Sequence, residues 1–94
     1  MSVRFEWDRQ KAAINIRRHG VSFDEASTVF DDPLACIFID DEHSLDEQRE
    51  IIVGHSVLNR LLVISFTERS EDHIRIISAR RATRSEARQY ESQL

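Results

Sequence analysis

Arginine is the residue type best suited to chemistry in this chain. Twelve of its 13 Lys and Arg residues are arginine. The planar guanidinium grips a phosphate through two parallel hydrogen bonds, which the point charge of lysine does not do. Arg60, Arg75, Arg80 and Arg81 lie in or beside segments rich in strand-forming residues. Neighbours on a strand point to opposite faces. Strict alternation therefore puts Arg75 and Arg81 on one face and leaves Arg80 on the other with Ile74 and Ile76. That favours Arg81 as the anion-facing member, Arg80 second, with Arg75 or Arg60 as a partner on the same face. The competing reading is a salt bridge to the acidic middle of the chain. His19 is the candidate proton carrier, because an imidazole pKa of about 6.5 serves either as base or as acid at neutral pH. Its alternative role is to close the helix it ends, where the helix dipole favours the cation. Tyr90 offers a ring for stacking or a phenol for proton donation, or else it packs. Lys11, Arg17 and Arg18 make a basic helical stripe suited to phosphate-backbone contacts, or a solvated face.

Other groups compete less well. Phe5 and Trp7 are read as core residues before they are read as a stacking platform. His55 and His73 sit in or beside strands, and Glu68 beside Arg69 is an alternative base. Asp40, Asp41, Glu42, His43, Asp46 and Glu47 match no loop of fixed metal-ligand spacing. They are read as a solvated loop, or as a lure for a basic partner segment. No metal site and no cofactor are expected. Cys36 is the only cysteine, so an internal disulfide is excluded and a reducing compartment suits it. The first residues hold no apolar core of signal-peptide length, and no apolar run, Leu61 to Ile64 included, is long enough to cross a bilayer. A cytoplasmic protein without membrane attachment is the expectation.

Net charge is −4, but its distribution is uneven. Residues 1–20 carry five cations and two acids, residues 21–50 carry ten acids against Arg49 alone, and residues 51–94 carry seven arginines and five acids. A fold that brings the two ends together shows a cationic face despite the acidic total.

These side chains must be positioned by a single domain spanning 1–94, since a chain of this length holds one core. Arg4-Phe5-Glu6-Trp7 alternates as a short strand. Asp8 caps a helix that ends at Gly20, with Ala12, Ile16 and His19 repeating along one face. Ser22 to Glu25 is a capping box opening a second helix, with Phe23, Ala26 and Phe30 as its apolar stripe and Asp31-Asp32-Pro33 as its stop. Leu34–Ile39, Arg49–Val57, Arg60–Glu68 and His73–Ala79 read as strands, the middle pair joined by a turn at Leu58-Asn59. A second capping box, Thr83 to Glu86, opens a C-terminal helix. The order β-α-α-β-β-β-β-α predicts an α+β fold with an antiparallel meander and helices on one face.

Two stretches then resemble a known family. The first runs Phe5-Glu6-Trp7-Asp8, Lys11, Asn15, His19-Gly20-Val21-Ser22-Phe23, Glu25-Ala26 and Val29 to Pro33. The second runs Arg75 to Thr83 with Glu86 and Tyr90. Together they are similar to the BrnT family of type II toxins. The resemblance implies a RelE-like fold: a curved, mainly antiparallel sheet of four or five strands, two N-terminal-side helices and a C-terminal helix. It also implies a ribonuclease that inhibits translation, a BrnA-like antitoxin forming a hetero-oligomer with it, and contact with operator DNA only through that antitoxin. The double arginine carries over as functional. Arg18 stands where many relatives have lysine; it keeps the charge but does not exchange a proton near neutrality. In Glu86-Ala87-Arg88, relatives often have a further arginine at the middle position.

Metal-independent RNA cleavage is the leading expectation. It needs a base for the 2′-hydroxyl, an acid for the leaving oxygen and cations for the charged phosphorane. Two alternatives remain at this point. One is a non-catalytic binding module or regulatory subunit of a DNA-binding complex. The other is a metal-dependent nuclease using the acidic loop.

Overall fold

The computed structural model describes residues 3–45 and 47–94. Of the acidic residues weighed above, Asp46 lies outside the described residues. The elements are β1 (Arg4–Glu6), α1 (Arg9–His19), α2 (Phe23–Thr28), β2 (Cys36–Ile39), β3 (Glu50–His55), β4 (Leu61–Ser70), β5 (His73–Arg81) and α3 (Arg84–Ser92). The strands form one sheet in the order β1-β5-β4-β3-β2. β2 through β5 are an antiparallel meander, and β1 pairs in parallel with β5. The α+β expectation is met in element order and in the mainly antiparallel sheet.

The helices do not all lie on one face. Val21, Phe23, Ala26 and Val29 pack with Ile52, Leu62, Ile64, Phe66, Ile74 and Ile76 to form the main core. It lies between the sheet and the α1–α2 layer. Phe30 packs between Phe5 and Phe66 at its border in tilted and edge-on contacts, with ring centroids 5.2 and 5.0 Å apart, and Trp7 meets Phe23 edge-on at 5.9 Å. Phe5 and Trp7 therefore pack in the core, as the sequence favoured. On the opposite face Tyr90 of α3 packs on Val53 and Val63, with Cys36, Ile51, Leu61 and Ala82 around them. β3 and β4 carry apolar residues at successive positions, such as Ile52-Val53 and Leu62-Val63-Ile64. Both faces of the central sheet thus demand cover, and α3 supplies the second.

Local signals explain most boundaries. Asp8 accepts from Gln10 N–H (2.8 Å) and Lys11 N–H (3.0 Å), Ser22 accepts from Glu25 N–H, and Thr83 and Glu86 form the expected capping box. Asn59, at φ 60°, supplies the left-handed residue of the β3–β4 turn. Gly54 is required by close approach: a Cβ there would meet Ala35 Cβ at 2.8 Å, Asp32 Oδ2 at 3.0 Å and Val29 Cγ1 at 3.0 Å. Gly54→Ala is expected to cost about 2 kcal/mol through overpacking. A urea melt at unchanged slope would measure this, and a cost near zero would mean that the Asp32–Ala35 segment yields.

Candidate active site at the arginine end of the sheet

The site is organised by an asparagine within α1. Asn15 is buried, while Ile16 beside it is 50% exposed; of the inward face expected from Ala12, Ile16 and His19, Ala12 packs on the core, whereas Ile16 and His19 are exposed. Asn15 Nδ2 donates to Ala79 O (2.7 Å) and Val21 O (2.9 Å), and its Oδ1 accepts from Ala79 N–H (3.2 Å). The amide thus pairs with β5 as a strand neighbour would. It clasps His19-Gly20-Val21 against Ala79-Arg80-Arg81. Gly20, at φ 68°, makes the reversal that ends α1, and its N–H donates to Ile16 O at 2.8 Å.

Arg60 completes this corner. Its Nε donates to Glu25 Oε2 (2.9 Å), its Nη2 donates to Gly20 O (3.1 Å), and Nη2 also pairs with Glu25 Oε1. Ser56 Oγ donates to Glu25 Oε2 at 2.7 Å. The Arg60 hydrogen bond holds the Glu25 carboxyl below its ordinary pKa against the opposing effect of burial; Ser56 and the charges of Arg60 and Arg81 act in the same direction as the bond. Glu25 is therefore an anchor for Arg60 rather than a base. Arg81 is exposed and, among the described residues, carries no ion pair.

The face assignments differ from strict alternation. Ser65 pairs with Ser78 but Phe66 pairs with Ile76, so Ile77 is an extra residue in β5. A bulge of this kind inverts the parity beyond it. Arg75 and Arg80 consequently share the α3 face, and Arg81 shares the α1 face with Ile74, Ile76 and Ala79. Arg80 is bound by both oxygens of Glu86, at 2.7 and 2.8 Å. Its partner thus comes from α3, not from the acidic middle segment. Arg75 pairs with Glu6 at 2.6 Å, and the same carboxylate takes His73 Nε2 at 2.6 Å. In the β4 register Arg75 and Arg80 sit opposite Thr67 and Val63, a separation of about 13 Å at strand rise. Arg75 therefore stands apart from the corner.

Tyr90 is only 4% exposed. Its hydroxyl lies 3.5 Å from Asp32 Oδ2, and its ring meets His55 edge-on at 5.6 Å. Burial first, and the Asp32 charge second, push its pKa up. Tyr90 thus anchors α3 on the far side of the sheet from His19. Beside it a cleft of about 580 Å³ opens between α3 and the sheet, with Phe38, Ile51 and Val63 on its floor and Arg80, Gln89 and Gln93 on its wall. His19 is exposed at the end of α1, and Lys11, Arg17 and Arg18 are exposed along it. At about 100° per residue, Lys11 and Arg18 share one flank of the helix while Arg17 points away from the sheet. Among the described residues, no group of three or more His, Cys, Asp or Glu side chains converges as a metal site. No helix of the described residues is long and apolar enough to cross a membrane.

Sequence reasoning assigned no site role to Asn15, Glu25, Glu6 or Glu86. An asparagine inside a helix was the available signal for the first, since it is a poor helix former without a tertiary reason. The carboxylates are far in sequence from the arginines they hold, apart from Glu86, so pairing could not be read from spacing. Their common feature has a consequence in acid. Glu86 is pulled from 4.5 to about 2, first by the Arg80 hydrogen bonds, against burial, and then by the Thr83 backbone. A depressed folded pKa contributes stability that is present above the unfolded value and is lost as pH falls through the folded one. Stability is therefore expected to fall between pH 4.5 and about 2. Glu86→Gln should lessen the drop in the urea midpoint between pH 6 and pH 3; an unchanged drop would place the acid sensitivity elsewhere.

A family profile described as "Ribonuclease toxin, BrnT, of type II toxin-antitoxin system" matches residues 7–86. The crystal structure of the Brucella abortus ribonuclease toxin, BrnT, superposes with a TM-score of 0.68 at 20% identity, covering 88% of this chain and 100% of that one. This likeness establishes a common fold. No curated protein sequence matches. The match over residues 7–86, with the two motifs joined by Asn15, places the chain in the BrnT family of ribonuclease toxins of type II toxin–antitoxin systems.

Proposed function

We propose that the chain is a metal-independent endoribonuclease that inhibits translation and is neutralised by a BrnA-like antitoxin. Its active site is the corner where α1 and β5 end and β4 begins. The observation that carries this reading is the Asn15 clasp, which ties Val21, two residues after His19, to Ala79, two residues before Arg81, while Arg60 is bonded to the Gly20 carbonyl.

In the proposed reaction His19 takes the proton of a ribose 2′-hydroxyl, and the 2′ oxygen attacks the adjacent phosphorus. Arg81 and Arg60 stabilise the dianionic phosphorane. The bond to the 5′ oxygen breaks, and that oxygen is protonated by water, leaving a 2′,3′-cyclic phosphate and a 5′-hydroxyl. Lys11 and Arg18 bind flanking phosphates. Arg80 and the apolar cleft beside it suit an unstacked base. Arg75 and Tyr90 act as supports, Arg75 pinning β1 to β5 and Tyr90 holding α3.

The purified chain, incubated with total RNA in excess EDTA, should cleave it. Cleavage that stops in EDTA would identify a metal-dependent nuclease. Salt-sensitive RNA binding without cleavage at any concentration would identify a binding module. That second reading draws on the pairing of Arg60, Arg75 and Arg80 with carboxylates, which leaves less cationic charge free for catalysis.

A further inference from the structure

The sheet manages its edges unequally. Before Cys36 the chain is not paired with β3, and the outward N–H groups past Val53 are capped by side chains: His55 N–H donates to Asp32 Oδ2 (2.8 Å) and Val57 N–H to Thr28 Oγ1 (2.9 Å). Among the described residues, β2 itself receives no such cover. Asp40 N–H donates to Arg49 O at 2.8 Å. In the same register Cys36 and Phe38 face Val53 and Ile51, so the hydrogen-bonded pairs of this antiparallel ladder are those of residues 36, 38 and 40. Ile37 and Ile39 therefore turn their N–H and C=O groups away from β3, toward the open edge. Their side chains are 56% and 58% exposed, and Phe38 on the other face is 44% exposed.

An uncharged, apolar edge strand is a ready template for pairing with another chain. Here it runs directly into an acidic segment: residues 40–50 hold six acids and a single arginine. Leu45 in that segment is 93% exposed. A second copy of this chain would bring two such acidic segments onto one edge, and like charges oppose that pairing.

We propose that β2 is the docking strand for the antitoxin. The antitoxin segment adds to the edge as a sixth strand, alternates apolar residues over Ile37, Phe38 and Ile39, and carries basic residues where it passes the 40–50 segment. Main-chain hydrogen bonds to Ile37 and Ile39 fix its register, and the acidic segment sets its orientation and speeds association. This rests on the reading of the chain as a toxin with an antitoxin partner. It places that partner on the edge opposite β1, remote from β5 in strand order, so the docking strand does not itself fill the proposed active-site corner.

The test is amide hydrogen exchange on the free chain and on its complex with the product of the adjoining reading frame, purified after co-expression. The Ile37 and Ile39 amides should exchange at least ~100-fold more slowly in the complex, as newly made sheet bonds do. Phe38, already bonded to Ile51, should change little. Ile37→Pro removes an outward donor without breaking the β2–β3 ladder, and it should weaken the complex at least ~10-fold while RNA cleavage by the free chain persists. Ile37→Lys is the second variant, should proline unsettle the strand. Unchanged Ile37 and Ile39 amides in a complex that forms would overturn the docking strand and leave the toxin reading intact. Protection already present in the free chain, growing with its concentration, would give the edge to a second copy instead. Failure of the two products to associate would overturn both the partner and its docking strand. The expected protection in the complex, with no RNA cleavage by the free chain, would sink the enzymatic reading alone.

Discussion

Arg81→Ala is expected to slow RNA cleavage by on the order of 100- to 1,000-fold, the usual loss when one preorganised stabiliser of a developing anion is removed. The variant should melt within a degree or two of the wild type. Arg81 is exposed and makes no ion pair among the described residues, so its removal strands no buried charge. Arg81→Lys keeps the charge and loses the fork, and should recover only part of the rate. Arg80→Ala should cost less activity than Arg81→Ala but more stability. Arg80 is held by Glu86 at the start of α3, and its loss leaves that carboxylate without its strongest partner. Initial rates on a defined RNA, read beside thermal melts, separate the two residues. Equal loss of rate from both, without loss of stability, would mean that substrate pulls Arg80 away from Glu86 and that the pair acts together. Full activity in Arg81→Ala would remove the corner from the mechanism.

Much of the fold was legible because its signals are local. Three side-chain caps, a helix-ending glycine and the alternation of β4 fixed element type and order, and each rests on residues within four positions of one another. What sequence could not show was set by single residues acting at a distance. One extra residue in β5, Ile77, inverts the faces of everything after it. Alternation therefore paired Arg81 with Arg75, whereas the folded chain pairs Arg80 with Arg75. No composition or period marks a bulge without glycine. The placement of α3 on the second face was implicit in consecutive apolar residues on β3 and β4, yet four strands with short connections suggested a one-sided layer. For the site, charge segregation and the double arginine drew attention to the right residue types. Which arginines are free and which are anchored depended on Glu25, Glu6 and Glu86, and contacts such as Glu25 to Arg60 span 35 positions.

The clasp between α1 and β5 makes Asn15→Ala a strongly destabilising change, expected to cost about 3 kcal/mol. It removes three hydrogen bonds and leaves Ala79 N–H, Ala79 O and Val21 O without the partner that Asn15 gives them. Each buried group so exposed costs about 1–3 kcal/mol before relaxation or water entry offsets it. A domain of this size loses roughly 4–8 °C in Tm per kcal/mol, so a fall of about 15 °C is expected. Asn15→Asp should be worse still, because a carboxylate can accept from Ala79 N–H but must face the two carbonyls without a donor. Ile16→Ala, one position along and half-exposed, should cost under about 1 kcal/mol. By apolar periodicity the order would be the reverse, since Ile16 belongs to the repeating face and Asn15 does not. Urea denaturation of the three variants therefore decides whether α1 is held to the sheet mainly by apolar contact or by one amide mimicking a strand. If the amide holds it, partial unfolding of α1 separates His19 from Arg81. Asn15→Ala should then lose RNA cleavage at temperatures well below its own melting point, whereas Ile16→Ala should keep cleaving until it unfolds.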